Sequence, residues 1–241
     1  MTGKTVPTTK KTLADFPISQ RWKPCDPDVI QLYAFPTPNG VKASIMLEET
    51  GLPYDPHTVL LTETTTPEFL SLNPNNKIPA IIDPHGPDGE AFGLWESGAI
   101  LIYLAEKTGR FLPQDPARRY ETIQWLMFQM GGIGPLFGQY GYFAVMSGKE
   151  IEDPRPRERY RKEAVRLLNV LEGRLKDRSF IMGDEYTIAD IATFPWIRTA
   201  KIRYEAEEAF EMHKVPSVMA WLDRCLARPP VQRGLVQPPR E

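Results

Sequence analysis

Between Val29 and Gly109, short apolar runs alternate with helical stretches, and proline or glycine punctuates the joins. That alternation constrains the fold more than any other feature, because it is the pattern of helices laid on a sheet. Val29 to Phe35 is apolar and aromatic with partial alternation and predicts a strand, which Pro36-Thr-Pro-Asn-Gly40 breaks. Val41 to Thr50 carries Val41, Ile45 and Met46 inward with Glu48 and Glu49 outside, and Gly51 ends this helix. Tyr54 to Leu61 predicts a second strand. Pro67 to Leu72 predicts a short helix with proline at its first position. Pro79 to Asp83 is a third strand, Pro84 to Gly89 a turn and Glu90 to Leu94 a fourth strand. Glu96 to Thr108 reads as a helix, with Gly109 where a left-handed C-terminal cap belongs. The order is β-α-β-α-β-β-α.

A proline-containing linker runs from about Leu112 to Ala117, and the remainder reads helical. Ala117 to Phe143 is long and apolar, interrupted by Gly131, Gly132, Gly134 and Pro135. Arg157 to Lys176 is amphipathic, with Val165, Leu168, Leu171 and Leu175 on one stripe. Thr187 to Arg203 and Val215 to Ala227 are further helices, and Pro229 with Pro230 stops the last. No internal repeat is visible. Residues 1–27 form an extended arm rich in Thr, Lys and Pro. Phe16, Ile18 and Trp22 predict that its later half packs onto the body or a partner subunit, whereas Met1 to Lys11 is expected to be disordered. The expected divisions are an N-terminal extension over 1–27, an α/β domain over 28–111 and an all-helical domain over 117–241.

A length of 241 residues can bury an adequate core in one large or two modest domains. The formal net charge of -2, with Lys and Arg scattered, gives no reason to expect nucleic acid or an anionic membrane as partner. The longest apolar run, Ala99 to Ala105, is far too short to span a bilayer, and Met1 to Lys11 lacks the apolar stretch of a signal peptide. Cys25 and Cys225 are the only cysteines and form neither a disulfide framework nor a zinc pattern. His57, His85 and His213 show no metal-ligand spacing, so no metal is expected. A reduced, cytoplasmic setting is the economical expectation.

Three segments carry candidate chemistry. In Asn75-Asn-Lys-Ile-Pro-Ala-Ile-Ile-Asp83, proline opens a buried strand without an N–H for the ladder. Were its peptide cis, Ile78 could pair strand-like with an extended peptide ligand; a trans proline that merely starts a strand is commoner. Trp95-Glu96-Ser97-Gly98 precedes an apolar helix, whose first N–H groups and positive dipole end suit a small carboxylate. Ser97 adds a hydroxyl, and Glu96 could hold an ammonium group, so the patch could recognise an α-amino acid head or be an ordinary helix cap. In Phe35 to Gly40, Thr37 and Asn39 bring a hydroxyl and an amide to a strand's carboxyl end, where α/β sites gather, though proline and Asn-Gly also make plain turns.

In combination, these words resemble the glutathione half of the glutathione transferase superfamily. "NPNNKIPAIID" and "LWESGAILIYLAEKTG" carry the likeness, and "TPNG" with "KIPAI" points to its Nu class and the neighbouring Ure2-like group. Gly183 to Asp190 resembles that family's buried capping box, in which Thr187 caps a helix and Asp190 reaches back. The likeness covers about residues 28–230. It implies a thioredoxin-like N-terminal domain followed by an all-helical domain, a homodimer, and glutathione as co-substrate. It implies that Ile78 pairs with the cysteinyl backbone of glutathione beside a cis Pro79. By the same likeness Glu96 and Ser97 hold the γ-glutamyl end, Lys77 meets the glycyl carboxylate, and Thr37 and Asn39 lie near the sulfur. Arg159 of Glu158-Arg159-Tyr160 matches an arginine that helps relatives bind a second glutathione, although an exposed helical arginine is more often a solvated charge. A polar contact is expected from Thr62 to Thr66.

No cysteine stands between residues 28 and 224, so glutathione must bring the sulfur. Donors that favour thiolate over thiol would make it a nucleophile. Thr37 and Asn39 are the expected donors; Tyr33 is a rival hydroxyl whose mid-strand place suits the core better. Disulfide-bond reduction is the expected activity, with weaker conjugation or peroxidase chemistry on a small-molecule electrophile. The competing expectation is a non-catalytic glutathione-binding regulator of the Ure2-like type. Gln124 to Phe143, aromatic with Gln129 and Gln139 among its polar positions, reads equally as pocket wall or core.

Overall fold

A computed structural model describes residues 10–239. Four strands form one mixed sheet in the order β2-β1-β3-β4. They are β1 (Ile30–Ala34), β2 (Tyr54–Thr58), β3 (Ala80–Asp83) and β4 (Phe92–Trp95). β1 pairs parallel with β2 and antiparallel with β3, and β3 pairs antiparallel with β4. Every residue of β1 is buried because both faces of the sheet are covered. Alternation along the strand divides its side chains between the two covers. Ile30, Leu32 and Ala34 join the main core, and Tyr33 joins a smaller one on the opposite face.

The N-terminal arm helps build that smaller core. Its single-turn helix α1 (Ile18–Arg21) follows buried Leu13 and Phe16, and Ile18 has no exposed surface. These side chains pack with Phe69 of α3 (Pro67–Leu72) and Ile82, while Trp22 Nε1 donates to Thr58 O at 3.1 Å. The arm therefore covers its own chain's sheet. Residues 1–9 lie outside the described residues, so the expected disorder of Met1 to Lys11 is addressed only at its end. There the backbone is held: Ala91 N donates to Lys11 O at 2.8 Å.

On the other face lie α2 (Gly40–Thr50) and α4 (Ser97–Thr108), which completes the βαβαββα order and its thioredoxin-like arrangement. The second strand ends at Thr58 rather than Leu61, because Leu60 and Leu61 turn out into solvent. The rest of the chain is helical. α5 (Pro116–Phe128) runs through a π-helical turn, Gln129–Ile133, into α6 (Gly134–Ala144). α7 (Arg155–Leu175), α8 (Ile188–Ile202), α9 (Pro216–Leu226) and α10 (Pro229–Gly234) follow. Pro229 and Pro230 do stop α9, but they also start α10, since proline suits a first helical turn.

One feature organises the helical half and another binds it to the sheet domain. Thr187 and Asp190 form the capping box at the start of α8, with Thr187 N donating to Asp190 Oδ2 at 2.9 Å. α10 returns to lie on α2, where Ser44 Oγ donates to Gly234 O at 2.7 Å and Arg228 pairs with Glu49 at 2.6 Å. Among the described residues no helix is long and apolar enough to cross a membrane. Nor do they hold a group of three His, Cys, Asp or Glu side chains that could bind a metal ion.

Candidate functional site

Two clefts flank the turn after β1, where the sheet domain meets the helical domain. The smaller, about 490 Å³, is bounded by Asn39, Asn75, Ile78, Glu96, Ser97 and Trp196, among others. The larger, about 860 Å³, lies against Thr37, Pro38, Pro195, Arg198, Arg203 and Leu235, among others.

One wall of the smaller cleft is the start of α4. Glu96 has φ 72 and ψ 113, a backbone conformation that an L residue adopts only at a cost. This turn leaves no side chain capping the first N–H groups of α4, so the positive end of the helix faces the cleft. Ser97 is 4% exposed and lies at that end, while the carboxylate of Glu96 is exposed and within 3.5 Å of Asn75 Nδ2. Next to it the Ile78–Pro79 peptide is cis. Ile78 lies before the first ladder residue of β3, Ala80, so its main chain is outside the sheet pairing. The loop leading to it is organised by buried Asn73, whose amide donates to Lys77 O and accepts from Asn75 N. The Lys77 side chain is exposed at the rim.

The turn after β1 presents its two polar residues to different clefts. Asn39 lines the smaller cleft and Thr37 the larger. Thr37 Oγ1 accepts from Gly40 N at 3.1 Å and so caps α2, which leaves its hydroxyl proton to donate. Gly40 has no substitute here, since a Cβ would lie 1.9 Å from Phe35 O. Asn39 Oδ1 accepts from Trp196 Nε1 at 3.0 Å. An indole only donates, so the amide oxygen must face Trp196, and the Nδ2 hydrogens are left for the cleft.

Sequence reasoning missed Lys42. Its side chain has no exposed surface, and its ammonium lies directly behind the cleft floor. It donates to Gln129 Oε1 at 2.7 Å and reaches Ser97 Oγ at 3.4 Å and Met130 Sδ at 3.7 Å. Burial pushes its pKa down to about 7, against the opposing attraction of Glu96. The π-helical turn supplies Gln129 and Met130, and such turns are frequent at functional sites. Trp196 was likewise hidden, because an aromatic residue inside an apolar helix reads as core. The ambiguous stretch from Gln124 to Phe143 divides: Gln129, Gly134, Gly138 and Gln139 line the cleft, while Phe137 and Tyr140 pack on Phe210.

Two expected contacts lie outside both clefts, and the rival hydroxyl Tyr33 belongs to the core as its mid-strand place predicts. Arg159 is exposed on α7 and belongs to a separate surface cavity with Pro154 and Lys162. Thr66 caps α3 through a bond from Phe69 N, and none of Thr62 to Thr66 lines either cleft. Tyr33 is fully buried, stacked on His57 at 4.8 Å, and burial pushes its hydroxyl up to about 12. Neither cysteine lines a cleft: Cys25 is exposed on the arm and Cys225 is buried in α9.

Comparison with known proteins agrees with this architecture. The family model for the glutathione S-transferase N-terminal domain matches residues 37–107, and that for the C-terminal domain matches residues 135–229. The chain belongs to the glutathione S-transferase family. Within it, the chain falls in the Nu-class and Ure2-like group. It is 59% identical to a glutathione transferase of Burkholderia graminis, solved with two glutathione molecules bound per subunit. That match has a TM-score of 0.94 and covers 97% of this chain and 98% of the other. The transferase URE2P6 of Phanerochaete chrysosporium, solved with oxidized glutathione, is 35% identical at a TM-score of 0.74, over 86% and 94% of the two chains. The disulfide-bond oxidoreductase YfcG of Escherichia coli is 42% identical, over 87% of this chain and 95% of its own.

Proposed function

We propose that this family member binds glutathione in the smaller cleft and uses its thiolate to reduce disulfide bonds, with weaker conjugation or peroxidase activity. The observation that carries the reading is the meeting of the uncapped start of α4, Ser97 and the Asn39 amide around one cleft. Relatives solved with glutathione and the oxidoreductase name of YfcG support it. In this reading the γ-glutamyl carboxylate sits at Ser97 and the start of α4, and its ammonium at Glu96. The cysteinyl main chain pairs with Ile78 beside Pro79, and Lys77 meets the glycyl carboxylate. Asn39 donates to the sulfur from the smaller cleft, and Thr37 donates from the wall of the larger. Arg159 has no part in the first glutathione site.

The reaction takes two displacements. The bound thiolate attacks one sulfur of the disulfide, whose S–S bond breaks as the departing thiolate takes a proton from solvent. A second glutathione thiolate then attacks the mixed disulfide and releases the second thiol with oxidised glutathione. Two electrons pass from two glutathiones to the substrate, and no protein cysteine is consumed. The same reading expects a cytoplasmic homodimer whose partners are small-molecule disulfides or electrophiles, with neither nucleic acid nor membrane among them.

The test is a titration with reduced and oxidised glutathione, followed by turnover of a small organic disulfide. Binding without turnover would leave only a regulator, and no binding of either form would end the proposal. Ser97→Ala is expected to weaken glutathione binding about tenfold, the loss of one hydrogen bond to a charged group. Unchanged affinity would put the carboxylate elsewhere. A Cys25→Ser, Cys225→Ser double variant should keep wild-type turnover, because the sulfur chemistry belongs to the co-substrate. Loss of turnover in a folded double variant would reassign it to the protein.

A further inference from the structure

Lys42 is a charged group placed where a protein ordinarily tolerates none. Its side chain is fully buried, and it forms no ion pair among the described residues. Its partners are an amide oxygen, a hydroxyl and a thioether, all neutral. Burying a cation without a paired anion is costly, so the charged form is favoured only when something else supplies the compensation.

The surroundings offer little of it. At the start of α4, Glu96 is the charged group that acts on Lys42, and its carboxylate is exposed at the far side of the cleft. The π-helical turn contributes only Gln129 and Met130. On α8, Asp190 is engaged by Ile181, Thr187 and Trp221, Lys201 pairs with Glu207, and Arg198 lines the other cleft. Near α10, Arg228 and Arg233 pair with Glu49 and Glu48, two turns further along α2. The positive end of α4 adds to the unbalanced charge rather than relieving it.

Hydrogen-bond chemistry then gives a direction. An ammonium can only donate, so Ser97 Oγ must accept from Lys42, which turns the Ser97 proton away from it; that proton meets only the weak acceptor Met130 Sδ at 3.7 Å, which a carboxylate in the cleft outcompetes. We propose that Lys42 is a positioning residue for the carboxylate of an α-amino acid head: it sets Ser97 as a donor and supplies the buried positive charge that this carboxylate neutralises. The inference rests on the reading of the smaller cleft as the glutathione site and adds a linkage to protons. In the free protein the depressed pKa of Lys42 leaves it mostly neutral at pH 8. A carboxylate arriving at Ser97 favours the ammonium form, so binding draws a proton in.

The probe is S-methylglutathione, which keeps both carboxylates and has no thiol to titrate. Calorimetric titrations at pH 8 in buffers of different ionisation enthalpy count the protons. Wild type is expected to take up a large fraction of one proton per ligand bound. Lys42→Met, similar in length and without charge, is expected to bind about tenfold more weakly and to take up only the share that the ligand's own amine contributes at this pH. A wild type that binds the ligand with no proton uptake overturns the inference and leaves the glutathione site standing, and this holds even if the variant does not fold. A folded Lys42→Met protein with wild-type affinity and wild-type proton uptake overturns it equally. Failure of wild type to bind S-methylglutathione or glutathione would instead strike the underlying assignment of the cleft.

Discussion

Asp190→Ala is expected to cost the fold about 3–5 kcal/mol, the range for removing one partner of a buried charged network. Asp190 is fully buried and accepts from Ile181 N at 2.9 Å, Thr187 N at 2.9 Å and Trp221 Nε1 at 2.8 Å. Alanine leaves all three donors unpaired in the interior, and each such group costs about 1–3 kcal/mol. A typical domain has about 5–15 kcal/mol in total, so the variant should be largely insoluble or melt far below wild type. Asp190→Asn should be milder. Its oxygen can still serve Ile181 and Trp221, which both bond Oδ1, but its amide hydrogens meet the Thr187 N–H.

The same carboxylate makes a pH prediction whose sign is opposite to the usual acid. Burial pushes its pKa up to about 6, against bonds from Ile181, Thr187 and Trp221 that favour the charged form. In the unfolded chain it titrates near the ordinary value of 3.8. Between these values the folded state binds the proton more tightly, so Asp190's contribution to stability grows as pH falls from about 6 to about 4. Above pH 6 both states are charged and the contribution is flat. Denaturant unfolding of wild type and Asp190→Asn at pH 4.5, 5.5 and 7 isolates this, since the other carboxylates are common to both and cancel. The wild-type advantage should widen toward low pH. An advantage that shrinks there would mean that the donors outweigh the burial.

How much of this was written in the chain differs between fold and site. Strands and helices of the first half were legible because their apolar periods and proline or glycine stops are local. So was the box at Thr187 and Asp190, a spacing of three residues with a geometric meaning. Glu96, Ser97, Ile78 and Pro79 were legible because each belongs to an element end, where backbone groups go unpaired. Lys42 was not. It follows Val41 on a helix read as having an outer face, yet Gly40 to Leu47 is buried throughout, because α4, α8 and α10 close over it. Only tertiary packing creates that burial. Trp196 failed for a similar reason: its indole meets Asn39 across 157 residues of chain. Arg159 is the reverse case, a local word that places a residue outside both clefts. A local word matched, but α7 turns that side chain to solvent.

The Trp196–Asn39 contact carries the largest expected effect on catalysis. A thiolate is stabilised by donors fixed before it forms, and one such donor is commonly worth about 10²–10³ in rate. Asn39→Ala removes the donor from the smaller cleft. Its kcat/KM for disulfide reduction at neutral pH should fall about 100-fold. The bound thiol's pKa should rise, because hydrogen bonds to the charged form are what lower it. Ultraviolet absorbance of the thiolate, followed against pH, reads that shift directly, and the rate profile should move to higher pH by the same amount. Trp196→Phe tests whether the indole sets the amide's orientation. Phenylalanine keeps an aromatic ring beside Gly138, where any Cβ would lie 3.4 Å from the indole ring, but it has no N–H. Released, the Asn39 amide can turn its oxygen to the sulfur, and an acceptor there opposes the thiolate. About a tenfold loss with a smaller rise in thiol pKa is expected, with glutathione affinity nearly unchanged, since Trp196 belongs to no carboxylate contact. The double variant should match Asn39→Ala alone, because the indole acts only through that amide. Additive losses, or a thiol pKa that Trp196→Phe leaves untouched, would separate the two residues and confine Trp196 to packing.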